Sequence, residues 1–570
     1  MSKDYSFSVM PSVSISRSRF ARKSQHKTSI NLGDLVPIYI DEVLPGDTRS
    51  MDVASLVRMS TPIAPIMDNI YMDLFAFFVP NRLVWDHWKD FMGENRESAG
   101  IRSTSYSIPY LGVLTPNNNH PIEGGSYGDY AGLPIGVNKL MAQNKISALP
   151  FRGIALIYNE WFRNQNVIAP LAIDTSDSNQ VIIGDVSTNA ENTFVTKKAS
   201  VLKVAKLADY FTKALPYAQK GGAVSIPLGT TAPIIAQVDP DDFGDGAYAL
   251  GFAADEIPTS GKYNLSTMGY GMYVQNDGNP VTSAYLEVQN DAHIVADLSQ
   301  ATAASINQLR YAFQLQKLLE KDALYGTRYW EILAAHFGVT APDASLQRPE
   351  YLGGKRININ IDQVLSTAGY DDTSSTDLGK PGANSVTGDK SSLFTKSFCE
   401  HGYIFIFACA RHDQTYMQGI NRMWTRQNRF DFYWPVFANL GAQEIKYKEI
   451  YAQGTADDDG VFGYQESWSE YRYRPSMATS ILRPIAGNLT FWTLTNNFGS
   501  KPTLGQTFIE QDRNNLARAL STSITGPDFI CDFYFQDIAV RPMPMYSIPG
   551  SVEQQRNSSL TFPNTFLVEY

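Results

Sequence analysis

One unbroken apolar run constrains the fold of this chain more than any other feature. Tyr403-Ile404-Phe405-Ile406-Phe407-Ala408-Cys409-Ala410 contains eight successive apolar residues. A helix needs about 20 such residues to span a bilayer, so the run is far too short to cross one. Its length and its aromatic and β-branched content instead predict a strand that is buried on both faces.

Composition extends this prediction to the whole chain of 570 residues. Charged residues make up only 18%, whereas Gly and Pro are frequent (41 and 30 residues) and so are Tyr and Phe (31 and 30). Such a chain can bury enough apolar surface to fold, which excludes a disordered protein. The balance favours a loop-rich, mainly β protein over a helical one.

Local patterns predict where the regular elements lie. Strands are predicted at 35–40, 70–79, 356–361, 402–410, 461–473 and 529–540, and helices at 83–92, 154–162 and 298–325. Gly326 is well placed to end the last helix. The absence of regular strand–helix alternation argues against a parallel sheet and favours an antiparallel sandwich or jelly roll with long loops.

Charge is distributed unevenly along the chain, whose formal net charge is −10. Residues 1–30 carry a net charge of +5, and their Ser-rich sequence predicts a flexible basic N-terminal arm. We expect this arm to neutralise phosphates without sequence preference, although a solvated terminus or a tie to a neighbouring subunit would fit the same sequence. The candidate nucleic-acid-binding residues are Arg17, Arg19, Arg22, Lys23 and Lys27.

Residues 171–300 have the opposite charge, a net of −8, and contain long Gly-rich stretches. This composition is typical of a large, solvated surface insertion. Its densest acidic cluster consists of Asp239, Asp241, Asp242 and Asp245.

The sequence contains no convincing catalytic or metal-binding pattern. Cys399, His401 and Cys409 could share one strand face, but zinc would need a fourth ligand, and none is apparent. No phosphate-binding or dinucleotide-binding motif is complete, and 455–460 lacks key ligands of a calcium loop. We therefore expect no enzyme activity, metal or cofactor. Three scattered cysteines and the lack of an apolar leader predict a soluble protein made in a reducing cytoplasm.

Several longer motifs, taken in order, carry a resemblance to a known family. They are EVLPGDT (42–48), TPIAPIMDN (61–69), FFVPNRLVW (77–85), PEYLGG (349–354), EHGY (400–403), RMWTR (422–426), FDFYWP (430–435), KEIYAQG (448–454), VFGYQE (461–466), EYRYRPS (470–476) and RPMPMYSIPG (541–550). Together they closely resemble the major capsid proteins of gokushoviruses, small single-stranded DNA phages of the Microviridae.

The resemblance implies an eight-stranded antiparallel viral jelly roll with long loops, a few helices and a large surface insertion. The implied organisation is a basic arm (1–30), a first part of the jelly roll (31–170), the insertion (171–297), a second part (298–550) and a C-terminal tail (551–570). The implied protein is a virion component that is assembled in the bacterial cytoplasm as a T=1 icosahedral homo-oligomeric shell around a circular single-stranded DNA genome.

The resemblance also implies partners. These are an internal scaffolding protein, a minor DNA-pilot protein and a host cell-surface receptor, which the insertion would contact.

A different class of function, a phage carbohydrate-binding or glycan-cleaving β protein, would use tryptophans to stack on sugars. Its candidate residues are Trp85, Trp88, Trp424, Trp434, Trp468 and Trp492.

Overall fold

A computed structural model defines the architecture of the chain. It describes residues 15–94, 105–111, 121–138, 140–179, 193–222, 306–367, 378–483, 489–521 and 526–546, single residues 224, 485 and 487, and strand segments between 234 and 296. The chain divides into two compact units, of which the first combines Met1–Lys220 with Lys321–Tyr570 and the second is Gly221–Glu320.

Two four-stranded antiparallel sheets form the centre of the first unit. Their strands, labelled here in chain order, are β1 (Ser18–Ile30), β2 (Val36–Val43), β3 (Thr48–Met59), β4 (Ile70–Pro80), β5 (Glu350–Asn358), β6 (Val386–Ser397), β7 (Gly402–His412) and β8 (Phe529–Arg541). Sheet A has the order β1-β8-β3-β6, and sheet B has the order β5-β4-β7-β2. The chain passes repeatedly between the two sheets, as it does in a jelly roll, so the predicted mainly β, antiparallel fold class is confirmed.

Sheet B is covered on both faces along its central strands. Nine of the eleven β7 residues are buried, all but Tyr403 and Arg411, so side chains on both faces of this strand are covered. Helix Leu149–Ile157 supplies part of the layer over the face turned away from sheet A. The helix approaches so closely that a Cβ added to Gly153 would lie 2.8 Å from the ring of Phe405. The apolar run of the sequence is therefore the buried strand that it predicts.

Sheet A has one packed face and one open face. Residues of β3 and β8 alternate strictly between buried and more exposed positions, which places every second side chain between the two sheets. The buried set includes Val53, Phe533 and Phe535, which join the main core with residues of sheet B. The opposite face of sheet A, turned away from sheet B, is called the open face below.

Several predicted elements are confirmed, with shifted ends. The strands predicted at 70–79, 402–410 and 529–540 are β4, β7 and β8, and the helix predicted at 154–162 is Leu149–Ile157, continued by the π-helical turn Tyr158–Phe162. The helix predicted at 298–325 is Ile306–Tyr325, and Gly326 follows it with a φ of 131°. Residues 298–305 lie outside the described part of the chain.

Other predictions need correction. The helix predicted at 83–92 is reduced to the turn Asn81–Leu83 and the single helical turn Trp88–Phe91. The strand predicted at 461–473 ends at Glu466 and gives way to the turn Ser469–Tyr471. Strands β1, β3 and β6 were not predicted, because their open-face residues are polar and interrupt any apolar run.

Shorter elements complete the first unit. Two small antiparallel pairs join Asp362–Leu365 to Pro381–Asn384 and Ala442–Lys446 to Val461–Glu466. Further helical turns are Tyr127–Tyr130, Leu140–Asn144, Thr193–Thr196, Tyr329–Ile332, Leu333–Phe337, Gln506–Ile509 and Asn514–Ala517. Short 3₁₀ turns are Lys198–Ser200, Arg422–Trp424, Arg429–Asp431, Pro435–Phe437, Tyr447–Glu449, Ala456–Asp459, Ser480–Leu482 and Thr490–Trp492.

The second unit contains short antiparallel pairs in its described segments. Ile234–Gln237 pairs with His293–Ala296, and Leu250–Ala254 pairs with Ala284–Val288. Tyr263–Met268, Gly271–Asn276 and Asn279–Pro280 form a three-stranded sheet. The insertion was predicted to begin at residue 171, but Phe194 and Val195 belong to the main core of the first unit. These residues, which the prediction placed in the insertion, therefore pack into the core of the first unit.

Candidate nucleic-acid interface

The basic N-terminal segment is largely a strand at the edge of sheet A. All thirteen residues of β1 pair with β8, from Ser18 opposite Arg541 to Ile30 opposite Phe529. The expectation of a flexible arm over residues 1–30 is therefore wrong for Ser18–Ile30, which is fixed by a full ladder of cross-strand pairing. Residues 1–14 lie outside the described part of the chain.

Strand alternation separates the five candidate basic residues. Arg19, Lys23 and Lys27 are exposed on the open face, and Arg17 is exposed just before the strand. In the described part of the chain, no carboxylate lies within salt-bridge distance of these four side chains. They present unneutralised positive charge to solvent, as a phosphate-binding surface requires.

Arg22 has the opposite parity and points between the sheets. Its guanidinium Nε donates to Asp537 at 2.9 Å, and it forms a salt bridge with Asp41 of β2. Arg49, fully buried on β3, also donates to Asp537, with Nε 2.9 Å from Oδ1 and Nη2 2.6 Å from Oδ2. The hydroxyl of Tyr39 donates to the same carboxylate at 3.1 Å. Arg22 thus belongs to a charge network that joins the two sheets.

The pKa values of Asp41 and Arg49 are both shifted in the direction that favours the charged form of each group. Burial alone would raise the pKa of Asp41, but hydrogen bonds from Arg22 and Arg49 outweigh it and lower that pKa below its ordinary value. Burial would likewise lower the pKa of Arg49, but the charge of Asp537 outweighs it and raises that pKa. Both groups therefore stay ionised at neutral pH. The candidate interface accordingly keeps Arg17, Arg19, Lys23 and Lys27 and leaves out Arg22.

Strand pairing adds basic residues that the sequence does not bring together. Exposed Arg58 of β3 lies opposite Ile530 of β8, and exposed Lys390 of β6 lies opposite Ala54 of β3. Both have the open-face parity. No local signal predicts this, because Arg58 and Lys390 are isolated basic residues far apart in the chain.

The described open face is basic overall. The strands of sheet A place five basic side chains on it (Arg19, Lys23, Lys27, Arg58 and Lys390) and two acidic ones (Asp52 and Asp532), an excess of three positive charges. Most of the remaining positions are small or polar, Leu56, Val386 and Ile530 are exposed aliphatic residues, and Tyr534 adds one half-buried ring. Such a face can bind a polyanion along its backbone, and an aromatic ring can stack on an unpaired base.

The other candidate sites can be placed only in part. Asp239, Asp241, Asp242 and Asp245 lie outside the described residues. Cys409 is fully buried, and burial raises the pKa of its thiol to about 12, whereas Cys399 is exposed. Across the described residues, no three His, Cys, Asp or Glu side chains are grouped to hold a metal ion. Nor does any described helix have the length and apolarity to cross a membrane.

Fold and surface together define a class. Two-sheet antiparallel jelly rolls occur in viral capsid proteins and also in lectin domains and cupins, so the fold and the basic open face are consistent with a viral shell protein. The chain matches the family described as "Capsid protein (F protein)" over residues 8–551, and it belongs to that family.

Three relatives sharpen the assignment. Capsid protein VP1 of Bdellovibrio phage phiMH2K is 41% identical over 553 residues, covering 96% of this chain and 98% of that protein. Capsid protein VP1 of Chlamydia phage 1 is 38% identical, covering 95% and 97%, and capsid protein VP1 of Spiroplasma virus 4 is 34% identical, covering 92% and 94%. All three come from gokushoviruses, so the predicted family is confirmed.

Family membership decides between the two functional classes raised by the sequence. The chain is a structural capsid protein and part of the phage virion, not an enzyme. The glycan-cleaving alternative is therefore wrong. Of its six tryptophans, Trp85 is fully buried and Trp468 is nearly so, whereas Trp424 is 75% exposed.

Proposed function

We propose that copies of this chain enclose a circular single-stranded DNA genome in an icosahedral shell, with the open face of sheet A against the packaged strand. The observation that carries the DNA contact is the five exposed basic side chains on one polar sheet face. The face is stiff, because β8 and β3 in its centre are each paired on both sides. A stiff basic face suits a contact that follows phosphates and ignores base sequence.

Salt dependence separates this contact from a purely structural role of the same residues. Replacing Lys23, Lys27 and Lys390 with Ala removes three open-face charges. If all three neutralise phosphates, the slope of log affinity against log salt for single-stranded DNA should become shallower by about 2. The measurement is a fluorescence titration of the subunit with a labelled oligonucleotide at several salt concentrations.

A matched variant provides the control. Lys355, Lys396 and Lys448 have the same charge, but each pairs with a carboxylate elsewhere, Asp389, Glu350 and Asp459 respectively. Replacing these three with Ala should leave the slope close to that of the unchanged protein. Equal slopes for both triple variants would contradict the proposed DNA contact, whereas shell formation by the open-face variant would leave the capsid function intact.

We further propose that the acidic insertion carries host attachment, with a cell-surface receptor as its partner. The support is its net charge of −8, which disfavours contact with DNA. Changing Asp239, Asp241, Asp242 and Asp245 to Asn should reduce phage adsorption several-fold while shells still form. Normal adsorption by assembled variant particles would contradict this role for the acidic cluster. An internal scaffolding protein and a minor DNA-pilot protein complete the proposed set of partners.

A further inference from the structure

A second surface of the first unit differs sharply from the open face of sheet A. It is formed by residues 423–436 and by Tyr471, and it is called the aromatic surface here. Its exposed side chains are Met423, Trp424, Phe430, Phe432, Tyr433, Trp434, Val436 and Tyr471. Val436 is 88% exposed and Trp424 is 75% exposed, which are high values for side chains of this kind.

The aromatic surface is held in place from behind. The guanidinium of Arg426 lies 4.4 Å from the ring centre of Tyr471 and 5.5 Å from that of Phe432, and it pairs with Glu470 at 3.2 Å. The indole N–H of Trp434 donates to the carbonyl of Arg429 at 3.1 Å.

Two further contacts tie the segment to the rest of the unit. The indole N–H of Trp468 donates to the carbonyl of Phe437 at 2.8 Å, and the Tyr433 ring packs edge-on against Trp468 with centroids 5.7 Å apart. Phe432, Tyr433, Trp434 and Tyr471 thus have defined contacts before any partner binds. A preorganised surface loses little conformational entropy when it binds.

The exposed aromatic area reaches the upper end of what a monomer ordinarily leaves open. At about 150–250 Å² per aromatic side chain, the six roughly half-exposed rings leave on the order of 600 Å² uncovered. The largest apolar patch on a typical monomer is about 300–600 Å², and a stable interface covers about 800 Å² on each partner. Met423 and Val436 bring the aromatic surface close to that second value.

Composition points to a protein partner and away from DNA. Tyr, Trp, Phe, Met and Arg are the residues enriched in interface cores. Both arginines of the segment are already engaged, Arg426 with Glu470 and Arg429 stacked 4.8 Å from the ring centre of Trp434. Beside Trp424 and Met477 lies a cleft of about 330 Å³, lined also by Tyr210 and Tyr473, which could receive a side chain.

We infer that the aromatic surface is a contact between copies of this chain in the shell. The inference rests on the proposed function, since a capsid subunit meets its own copies over wide surfaces. The area matches one side of a standard interface, and the fixed rings and the neighbouring cleft provide the shape of a binding hot spot.

Assembly of charged variants tests the inference. Val436→Asp places a carboxylate on the aromatic surface at a position that is 88% exposed and so leaves the core untouched, and shell yield by sedimentation and electron microscopy should fall at least tenfold. The matched control is Val364→Asp, at an exposed position of the small strand pair Asp362–Leu365 and Pro381–Asn384, and its shell yield should stay close to that of the unchanged protein. Wild-type shell yield from Val436→Asp would overturn the inference. Failure of the unchanged protein to form shells would instead contradict the proposed function.

Footprinting of the unchanged protein gives a readout that does not depend on a variant folding. Hydroxyl-radical oxidation of Trp424 and Met423 should be at least fivefold slower in shells than in free subunits. Exposed Met67 serves as an internal reference for radical dose. Equal oxidation in both states would overturn the inference, and so would protection that appears only when another viral protein is bound.

Discussion

Sheets A and B each have four antiparallel strands, but their surroundings differ. The central strands of sheet B are buried on both faces, and helix Leu149–Ile157 packs over one of these two faces. Sheet A buries only the face toward sheet B and leaves five basic side chains on the other. A sheet that is covered on both faces contributes to the stability of the fold, whereas an exposed face can also bind a ligand. The difference locates the candidate DNA contact on sheet A.

Core substitution should reveal the largest contrast between the sheets. Phe405→Ala removes a fully buried ring of sheet B that stacks on Phe407 and touches the helix at Gly153. We expect unfolding free energy to fall by about 3–5 kcal/mol, because the lost burial leaves a cavity. Denaturant unfolding of the unassembled subunit measures the change.

Ile530→Ala is the control on sheet A, where the side chain is 56% exposed on the open face. It should change the unfolding free energy by less than about 0.5 kcal/mol. Comparable losses at both positions would mean that the open face is covered in the folded subunit, which would undermine its assignment to DNA.

Two aspartates of β8 compare the two faces of one strand. Asp537→Ala leaves the fully buried guanidinium of Arg49 without its bidentate partner. We expect a loss of about 3 kcal/mol in unfolding free energy, at the lower end for a broken buried pair because Arg22 partly reaches solvent. Thermal and denaturant unfolding measure this loss.

Asp532→Ala on the open face removes a carboxylate that accepts only from Gln25 among the contacts described, at 2.6 Å. Stability should change little, and single-stranded DNA should bind slightly more tightly because a negative charge is gone. Weaker DNA binding by this variant would argue against a polyanion on the open face.

Acid should destabilise the covered sheet through a buried histidine. His412, the last residue of β7, is fully buried, and burial lowers the pKa of its imidazole to about 4, despite the nearby carbonyl of Asp413. The unfolded state, with a pKa near 6.5, binds more protons between pH 6.5 and pH 4. The stability that the neutral, buried His412 contributes is therefore complete above pH 6.5 and is lost as the pH falls toward 4.

Between pH 7 and pH 4.5 the loss from His412 should be about 2–3 kcal/mol. His412→Gln should remove it and flatten the pH dependence of unfolding free energy by that amount. Lys206, Asp413 and Arg518 are the charged groups that act on this ring, and they remain in the variant. His26→Gln on β1, where burial of the half-buried ring also lowers the pKa, should flatten the curve less. An unchanged slope in His412→Gln would show that the imidazole is solvated.

Sequence reasoning succeeded where burial covers both faces of an element. The runs at β4 and β7 are almost wholly apolar, so no alternation is needed to identify them. It failed at β1, β3 and β6, where half of the residues point to the open face and are polar. The basic character of β1 was visible in the sequence, but its pairing with β8 was not, because the paired residues are 499 to 523 positions apart in the chain.

The sequence by itself determined the family, the mainly β class, the basic N-terminal segment and the strands of the covered sheet, because these depend on local composition and ordered motifs. Only the tertiary structure decided which basic residues lie on one face. Strand parity turned Arg22 inward to Asp537 and left Lys23 outward, and pairing brought Arg58 and Lys390 to the same face. The physical reason is that a sheet assembles its faces from strands far apart in the chain, and each strand divides its own residues between two environments.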